Sequence, residues 1–201
     1  MDVDSTFITA EQIDLLAAYA GTQHTVAAIT ERAMQGELDF AESLTERVAT
    51  LAGLPVETLD AVRAQIELTP GAAELVAAFV ERDWPVGLVS GGFHEIIDPL
   101  VADLPLARVQ ANRLETADGE LTGRVHGPIV DRATKARFLA DLAAAVGIPL
   151  EDTIAIGDGA NDLDMIAAAG LGVAFAAKPV VAEAADLALS GPRLDEVLAH
   201  L

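Results

Sequence analysis

Four short stretches of the chain bring carboxylates, a hydroxyl, bare glycine amides and a lysine into spacings that could do chemistry. The first is Asp2-Val3-Asp4-Ser5-Thr6. Alternate residues of an extended segment point the same way, so Asp2 and Asp4 can face one site. Paired carboxylates suit a nucleophile working beside a general acid and base, although the same pattern also occurs in solvated turns. The second, Ser90-Gly91-Gly92, follows the apolar run 86–89. A hydroxyl and unobstructed amides opening a helix can hold an anionic oxygen, and they also make an ordinary strand-to-helix turn. The third is Gly157-Asp158-Gly159-Ala160-Asn161-Asp162. Its carboxylates, four residues apart, share one side of a helix start, where acids also serve as dipole partners. Two carboxylates and an amide among glycines exceed what capping needs. The fourth is Lys135, a counter-charge for such an acidic site or else a solvated helix lysine. The chain has ten arginines and only two lysines, Lys135 and Lys178.

The elements that must position these groups follow from periodicity and punctuation. Residues 1–6 read as the end of a strand followed by a turn. Helical patterns then run to about residue 67. Thr9 with Gln12, and Asp39 with Glu42, have capping-box spacing, and Gly21, Gly36 and Gly53 stand where helices stop. This predicts three or four helices with no strand between them. From Thr69 onward apolar strands alternate with helices: helix 71–82, strand 86–90, a helix after Gly92, a strand near Val109, a hairpin over 113–125 turning at Asp118-Gly119, helix 132–146, strand 153–156, strand 172–175, a short helix and a C-terminal helix. The pattern is α/β with a parallel sheet. Sites in such sheets lie at the carboxyl ends of strands, which is where three of the four polar clusters fall.

Composition narrows the partners. The chain has 201 residues, 52% of them hydrophobic, enough for one sizeable core and a small second module. A formal net charge of −20 repels nucleic acid phosphates and anionic lipid, so neither is expected as a partner. With no cysteine, any metal must be held by oxygen or imidazole, which favours a hard ion such as Mg²⁺. Acidic residues from Asp2 onward do not fit a signal peptide, and the longest apolar run, 165–177, is too short to span a bilayer. A cytoplasmic protein is the expectation. His24, His94, His126 and His200 are scattered without a pattern, and Asp164 is expected to face solvent or cap locally.

One helix in the first third adds a polar group to an apolar face. Phe40, Leu44, Val48 and Leu51 form a stripe at helical spacing, and Arg47 lies within it. A guanidinium there needs a ligand or a partner, by snorkelling or an internal salt bridge. Glu11 is the nearest candidate carboxylate on the early helix. An Arg and a Glu over an anion site would suit a zwitterion, the Arg for a carboxylate and the Glu for an ammonium.

In order and spacing, Asp2–Thr6, Ser90–Gly92, Lys135 and Gly157–Asp162 resemble the four motifs of the haloacid dehalogenase (HAD) phosphatases. Glu11, Ala33-Met34, Gly36-Glu37-Leu38, residues 40–44, Arg47-Val48, Phe93, Ala111-Asn112 and Ala177-Lys178-Pro179 extend the resemblance to the phosphoserine phosphatases among them, over essentially the whole chain. The resemblance implies a Rossmann-like HAD core of residues 1–10 and 68–201, with a small helical cap, 11–67, inserted after the first strand. It implies Asp2 as nucleophile and Asp4 as acid and base. Mg²⁺ would be held by the Asp2 side chain, the Asp4 carbonyl and Asp158, with Asp162 in the outer shell. Ser90, Gly91 and Lys135 would hold the phosphoryl oxygens, oriented by Asn161. Glu11 and Arg47 would bind the serine moiety, with Met34 and Phe40 walling the pocket. The expected substrate is the small molecule phosphoserine, and a homodimer is admitted. Other readings are a phosphatase or phosphotransferase for another small phosphometabolite, and a non-catalytic module of the same fold. Two departures stand out. Phe7 replaces the usual Leu, and only Met1 precedes Asp2 where the family has several apolar residues, so a chain starting upstream is expected.

Overall fold

A computed structural model describes residues 1–201. Four helices lie before residue 68, with no strand between them, as periodicity predicts: α1 (Gln12–Ala20), α2 (Gln23–Met34), α3 (Phe40–Ala49) and α4 (Thr58–Arg63). The Asp39–Glu42 capping box forms at α3, each side chain accepting from the other's backbone N–H at 2.8 and 2.9 Å. The Thr9–Gln12 box does not form. Helix α1 has Glu11 at its N-cap with no side-chain cap, because the Gln12 side chain turns inward and is fully buried.

The α/β part follows: α5 (Ala72–Val80), β1 (Gly87–Phe93), α6 (His94–Leu100), β2 (Arg108–Ala117), β3 (Glu120–His126), α7 (Arg132–Val146), β4 (Ile154–Gly157), α8 (Leu163–Ala168), β5 (Leu171–Phe175), α9 (Pro179–Ala182) and β6 (Leu187–Leu189). Strands β1 and β2 pair in parallel, β2 and β3 form the predicted hairpin at Asp118-Gly119, and β4, β5 and β6 are parallel. Both turn residues have positive φ, 50° and 83°, as a tight two-residue hairpin turn requires.

Residues 1–3 join the two three-stranded sheets. Val89 N–H donates to the Met1 carbonyl and Asp2 N–H donates to the Ile156 carbonyl, both at 2.9 Å. The strand expected over the opening residues is therefore a short extended piece, and the turn begins at Asp4. Three amides, from Thr6, Phe7 and Ile8, fold back onto the Val3 carbonyl, with Ser5 at φ 59°. Val3, Phe7 and Ile8 are fully buried and anchor this turn in the main core with Leu88, Ile156 and Val173.

Three further expectations are corrected. Ser90-Gly91-Gly92 does not open a helix; it forms the end of β1, and α6 starts only at His94. The C-terminal segment Leu194–His200 is a 3₁₀ rather than an α-helix. Strand β6 was not expected, since three residues are too few to show a period. No helix is long and apolar enough to cross a membrane.

The helical segment touches the hairpin as well as its own linkers. Gly53 N–H donates to Leu121 O, Leu121 N–H to Leu54 O, and Val56 N–H to Gly119 O, each at 2.9 Å. A Cβ at Gly123 would lie 2.9 Å from that of Ala52, so the close approach needs glycine there.

Because α3 carries both Phe40 and Arg47, its start matters. Asp39→Ala removes one capping acceptor and is expected to cost about 1 kcal/mol, read as a lower urea midpoint with an unchanged slope.

Candidate active site

The carboxyl ends of β1 and β4, the turn after residue 3 and the first turn of α7 converge on one acidic cluster. Lys135 is fully buried on α7, and its Nζ donates to Asp2 Oδ1 and Asp162 Oδ1 at 2.6 Å each. Both carboxylates are themselves buried. Burial pushes the ammonium down, but the two carboxylates more than reverse it and hold Lys135 above its ordinary value. Burial and then Asp162 push Asp2 up, and Lys135 opposes them. Burial, Asp162 and Glu11 raise Asp158 to about 6. Burial and then Glu11 raise Asp4 to about 7, against hydrogen bonds from Gln12. One lysine therefore faces four carboxylates.

That excess tests whether a cation fits. Carboxylate oxygens of Asp2, Asp158 and Asp162 lie within 4.8 Å of one another, all hard donors with no sulfur or imidazole. The set fits a metal ion of the hard, oxygen-seeking kind. Thr6, fully buried, fixes one member by donating to Asp158 Oδ1 at 3.2 Å. A Cβ at Gly157 would collide with Asp162, so this glycine is required by close approach.

Above the cluster opens a pocket of about 740 Å³. Asp2, Asp4, Glu11, Met34, Phe40, Arg47, Gly91, Asp158 and Asn161 all line it. Ser90, Lys135 and Asp162 lie behind its wall and are fully buried. Ser90 Oγ accepts from Gly92 N–H at 2.8 Å. The Phe40 ring rests on Gly91, where a Cβ would meet it at 2.7 Å. Met34 sits at the mouth, 70% exposed.

Arg47 is half-buried, and its Nε donates to the Ser43 carbonyl at 3.3 Å. It forms no ion pair; burial lowers its pKa against the pull of Glu11, Asp14 and Asp4. The internal salt bridge that would have explained it is absent. Glu11 is exposed and accepts from Ser5 Oγ at 2.6 Å.

The structure gives contacts at the site to groups that the sequence reading left without a role there. Arg132 and Lys178 line the same pocket, Arg132 paired with Asp164. Asp164 is exposed, as expected, and pairs with Arg132 at the surface. Asn112, buried, donates to Gly91 O and accepts from Val130 N–H, both at 2.8 Å. Gln12 reaches Asp4 from α1. Arg132 and Lys178 could have been found from their flanking motifs. The bracing amides leave no spacing signal.

Replacing Lys135 by Met would leave two buried carboxylates facing each other without a cation. The expected cost is about 3–5 kcal/mol of stability in metal-free buffer, measured by denaturant unfolding.

A haloacid dehalogenase-like hydrolase family model matches residues 1–167. Among curated proteins, phosphoserine phosphatase SerB2 of Mycobacterium tuberculosis is 58% identical over 197 residues, covering 98% of this chain and 48% of that protein. The phosphoserine phosphatase of Streptococcus thermophilus is 52% identical over 198 residues, covering 98% of this chain and 92% of that protein. The chain thus spans about half the length of some curated relatives and nearly all of others. Among solved structures, a phospho-aspartyl intermediate analogue of phosphoserine phosphatase superposes with a TM-score of 0.93 at 41% identity, covering 100% of this chain and 96% of that one. A substrate-bound phosphoserine phosphatase complex does so with a TM-score of 0.93 at 40% identity. With the motifs gathered in one acidic pocket and the match running through most of the chain, this protein belongs to the haloacid dehalogenase-like hydrolase family.

Proposed function

We propose that the chain hydrolyses O-phospho-L-serine to L-serine and phosphate through an aspartyl-phosphate on Asp2. The observation that carries this reading is the half-buried Arg47, without an ion pair, lining one pocket with Glu11 and with Asp2, Asp4 and Asp158 of the acidic cluster. A guanidinium and a carboxylate above a phosphate site complement an amino acid's carboxylate and ammonium. Relatives named as phosphoserine phosphatases support the same substrate.

In this reading residues 11–67 act as a cap over a core of 1–10 and 68–201. Asp2 Oδ attacks phosphorus as the bond to the serine oxygen breaks. Asp4 gives its proton to that oxygen, and serine leaves. Water then attacks the phospho-aspartate while Asp4 takes up its proton, which frees phosphate and restores Asp2. A group near neutrality suits both roles, and Asp4 lies at about 7. The Gly91 amide, the Ser90 hydroxyl and Lys135 stabilise the charge that builds on the phosphoryl oxygens, and Asn161 orients the group. Mg²⁺ would be held by Asp2, Asp158 and the Asp4 carbonyl, with Asp162 behind, and when bound it offsets the phosphate's negative charge. Cap closure excludes bulk water during transfer.

Phosphate release from phosphoserine is expected with Mg²⁺ and not in EDTA, and Asp2→Asn, whose amide cannot form the acyl phosphate, is expected to abolish it. Melting curves give a second readout of the ion. Saturating Mg²⁺ should raise the melting temperature of the native protein, by about 2.7 kcal/mol of stability at a hundredfold excess over Kd, and should not raise that of Asp158→Asn.

Arg47→Ala is expected to cost about 2–5 kcal/mol in kcat/KM for phosphoserine, the loss typical of one partner of a desolvated charge pair. p-Nitrophenyl phosphate, which has neither carboxylate nor ammonium, should lose much less. Equal losses on both esters would reduce Arg47 to a support of the helical segment and leave a general small-molecule phosphatase.

A further inference from the structure

Gln12 is a fully buried amide on the first turn of α1, with both ends of its side chain engaged at the site. Its Nε2 donates to Asp4 Oδ1, and its backbone N–H approaches Asp4 Oδ2 at 3.4 Å. At the other end its Oε1 accepts from Phe93 N–H at 3.0 Å. The amide is wedged against Gly92, where any Cβ would collide with Gln12 Nε2. One residue therefore touches both oxygens of Asp4 while being pinned to the end of β1, two residues beyond Gly91.

A carboxyl group turns easily about its last torsion, which is broad and roughly two-fold. A proton donor must nonetheless present one particular oxygen to the leaving group. The Nε2 hydrogen bond occupies Oδ1, which leaves Oδ2, whose only contact from Gln12 is long, as the oxygen free to face a leaving group. An amide can hold this orientation without adding charge beside Glu11, Asp2 and Asp158. The same amide ties Asp4 to the end of β1 through Phe93, so the acid and the proposed seat of the phosphate share one frame.

We infer that Gln12 is a positioning residue for the acid step, fixing which oxygen of Asp4 gives its proton to the leaving group. This rests on the reading of Asp4 as the acid, and the test separates the two. The readout is how kcat/KM depends on the leaving group across p-nitrophenyl phosphate, phenyl phosphate and phosphoserine. That constant covers only the steps up to formation of the phospho-enzyme, so the water step does not enter it. A p-nitrophenolate departs readily without a proton, a phenolate less so, and an alkoxide hardly at all.

The expected result is a shallow dependence in the native protein and a steep one in both Asp4→Asn and Gln12→Met. Gln12→Met fills about the same volume and lacks the two side-chain hydrogen bonds, to Asp4 and from Phe93. It should lower kcat/KM for phosphoserine by about 10²-fold, and for p-nitrophenyl phosphate by far less. The ratio between two substrates in one preparation does not depend on the folded fraction, so a less stable variant still reports. Gln12→Asn, whose amide is too short to span from α1 to Asp4, should show the same steepening. If Asp4→Asn is steep while both Gln12 variants lose activity equally on all three esters, Gln12 only supports the fold and the inference is overturned. If Asp4→Asn itself leaves the dependence shallow, Asp4 is not the acid and the inference falls with that reading.

Discussion

One buried ammonium between two buried carboxylates sets the geometry of everything around it. Lys135 has no contact with solvent, and Asp2 and Asp162 have almost none. Removing three charges from water is expensive, and the arrangement persists because each charge has a partner at 2.6 Å. The constraint reaches far along the chain. It requires α7 to bring its first turn under residues 1–3, and β4 to deliver Asp162 through a turn tight enough that Gly157 admits no side chain. It also leaves Asp158 and Asp4 without a cation of their own, so burial and then the neighbouring carboxylates push both toward neutrality. Structure and chemistry meet in that imbalance. A site with four carboxylates and one lysine is a cluster that could hold a metal ion.

The second layer consists of neutral groups that aim the charged ones. Thr6 holds Asp158, Asn112 holds the Gly91 carbonyl, and Gln12 holds Asp4. All three are buried, and all are hydrogen-bonded at the site. Hydroxyls and amides can do this without disturbing the balance of charge, whereas a further lysine or carboxylate would tip it.

Much of this was legible in the sequence, and the exceptions have physical reasons. Helix α7 could be placed over 132–146 because its start is capped by Asp131 and its end is met by Gly147. The Asp118-Gly119 turn announced the hairpin through its backbone demands. The charged residues of the pocket could be picked out because their types and spacing limit what they can do. Gln12 was misread as half of a capping box, since a buried glutamine has the same letter as an exposed one and only packing distinguishes them. The glycines after Ser90 were taken for a helix opening, but their small size serves the Phe40 ring and the Gln12 amide pressed against them. Strand β6 was missed because three residues borrow their conformation from β5 rather than declare their own.

The backbone hydrogen bonds between residues 53–56 and the hairpin give the helical segment another attachment, besides the two covalent linkers and the side-chain hydrogen bonds of Gln12 and Arg63 with the segment 93–95. That attachment is to β3, and β3 is zipped to β2, which carries Asn112 and through it the Gly91 carbonyl. The segment that carries Arg47 and Phe40 is thus linked through the hairpin to the end of β1 at Gly91. A lid hung on two flexible tethers could swing while the floor stayed still. Here residues 53–56, β3, β2 and Gly91 form one hydrogen-bonded path, so the helical segment and the floor are not separate parts.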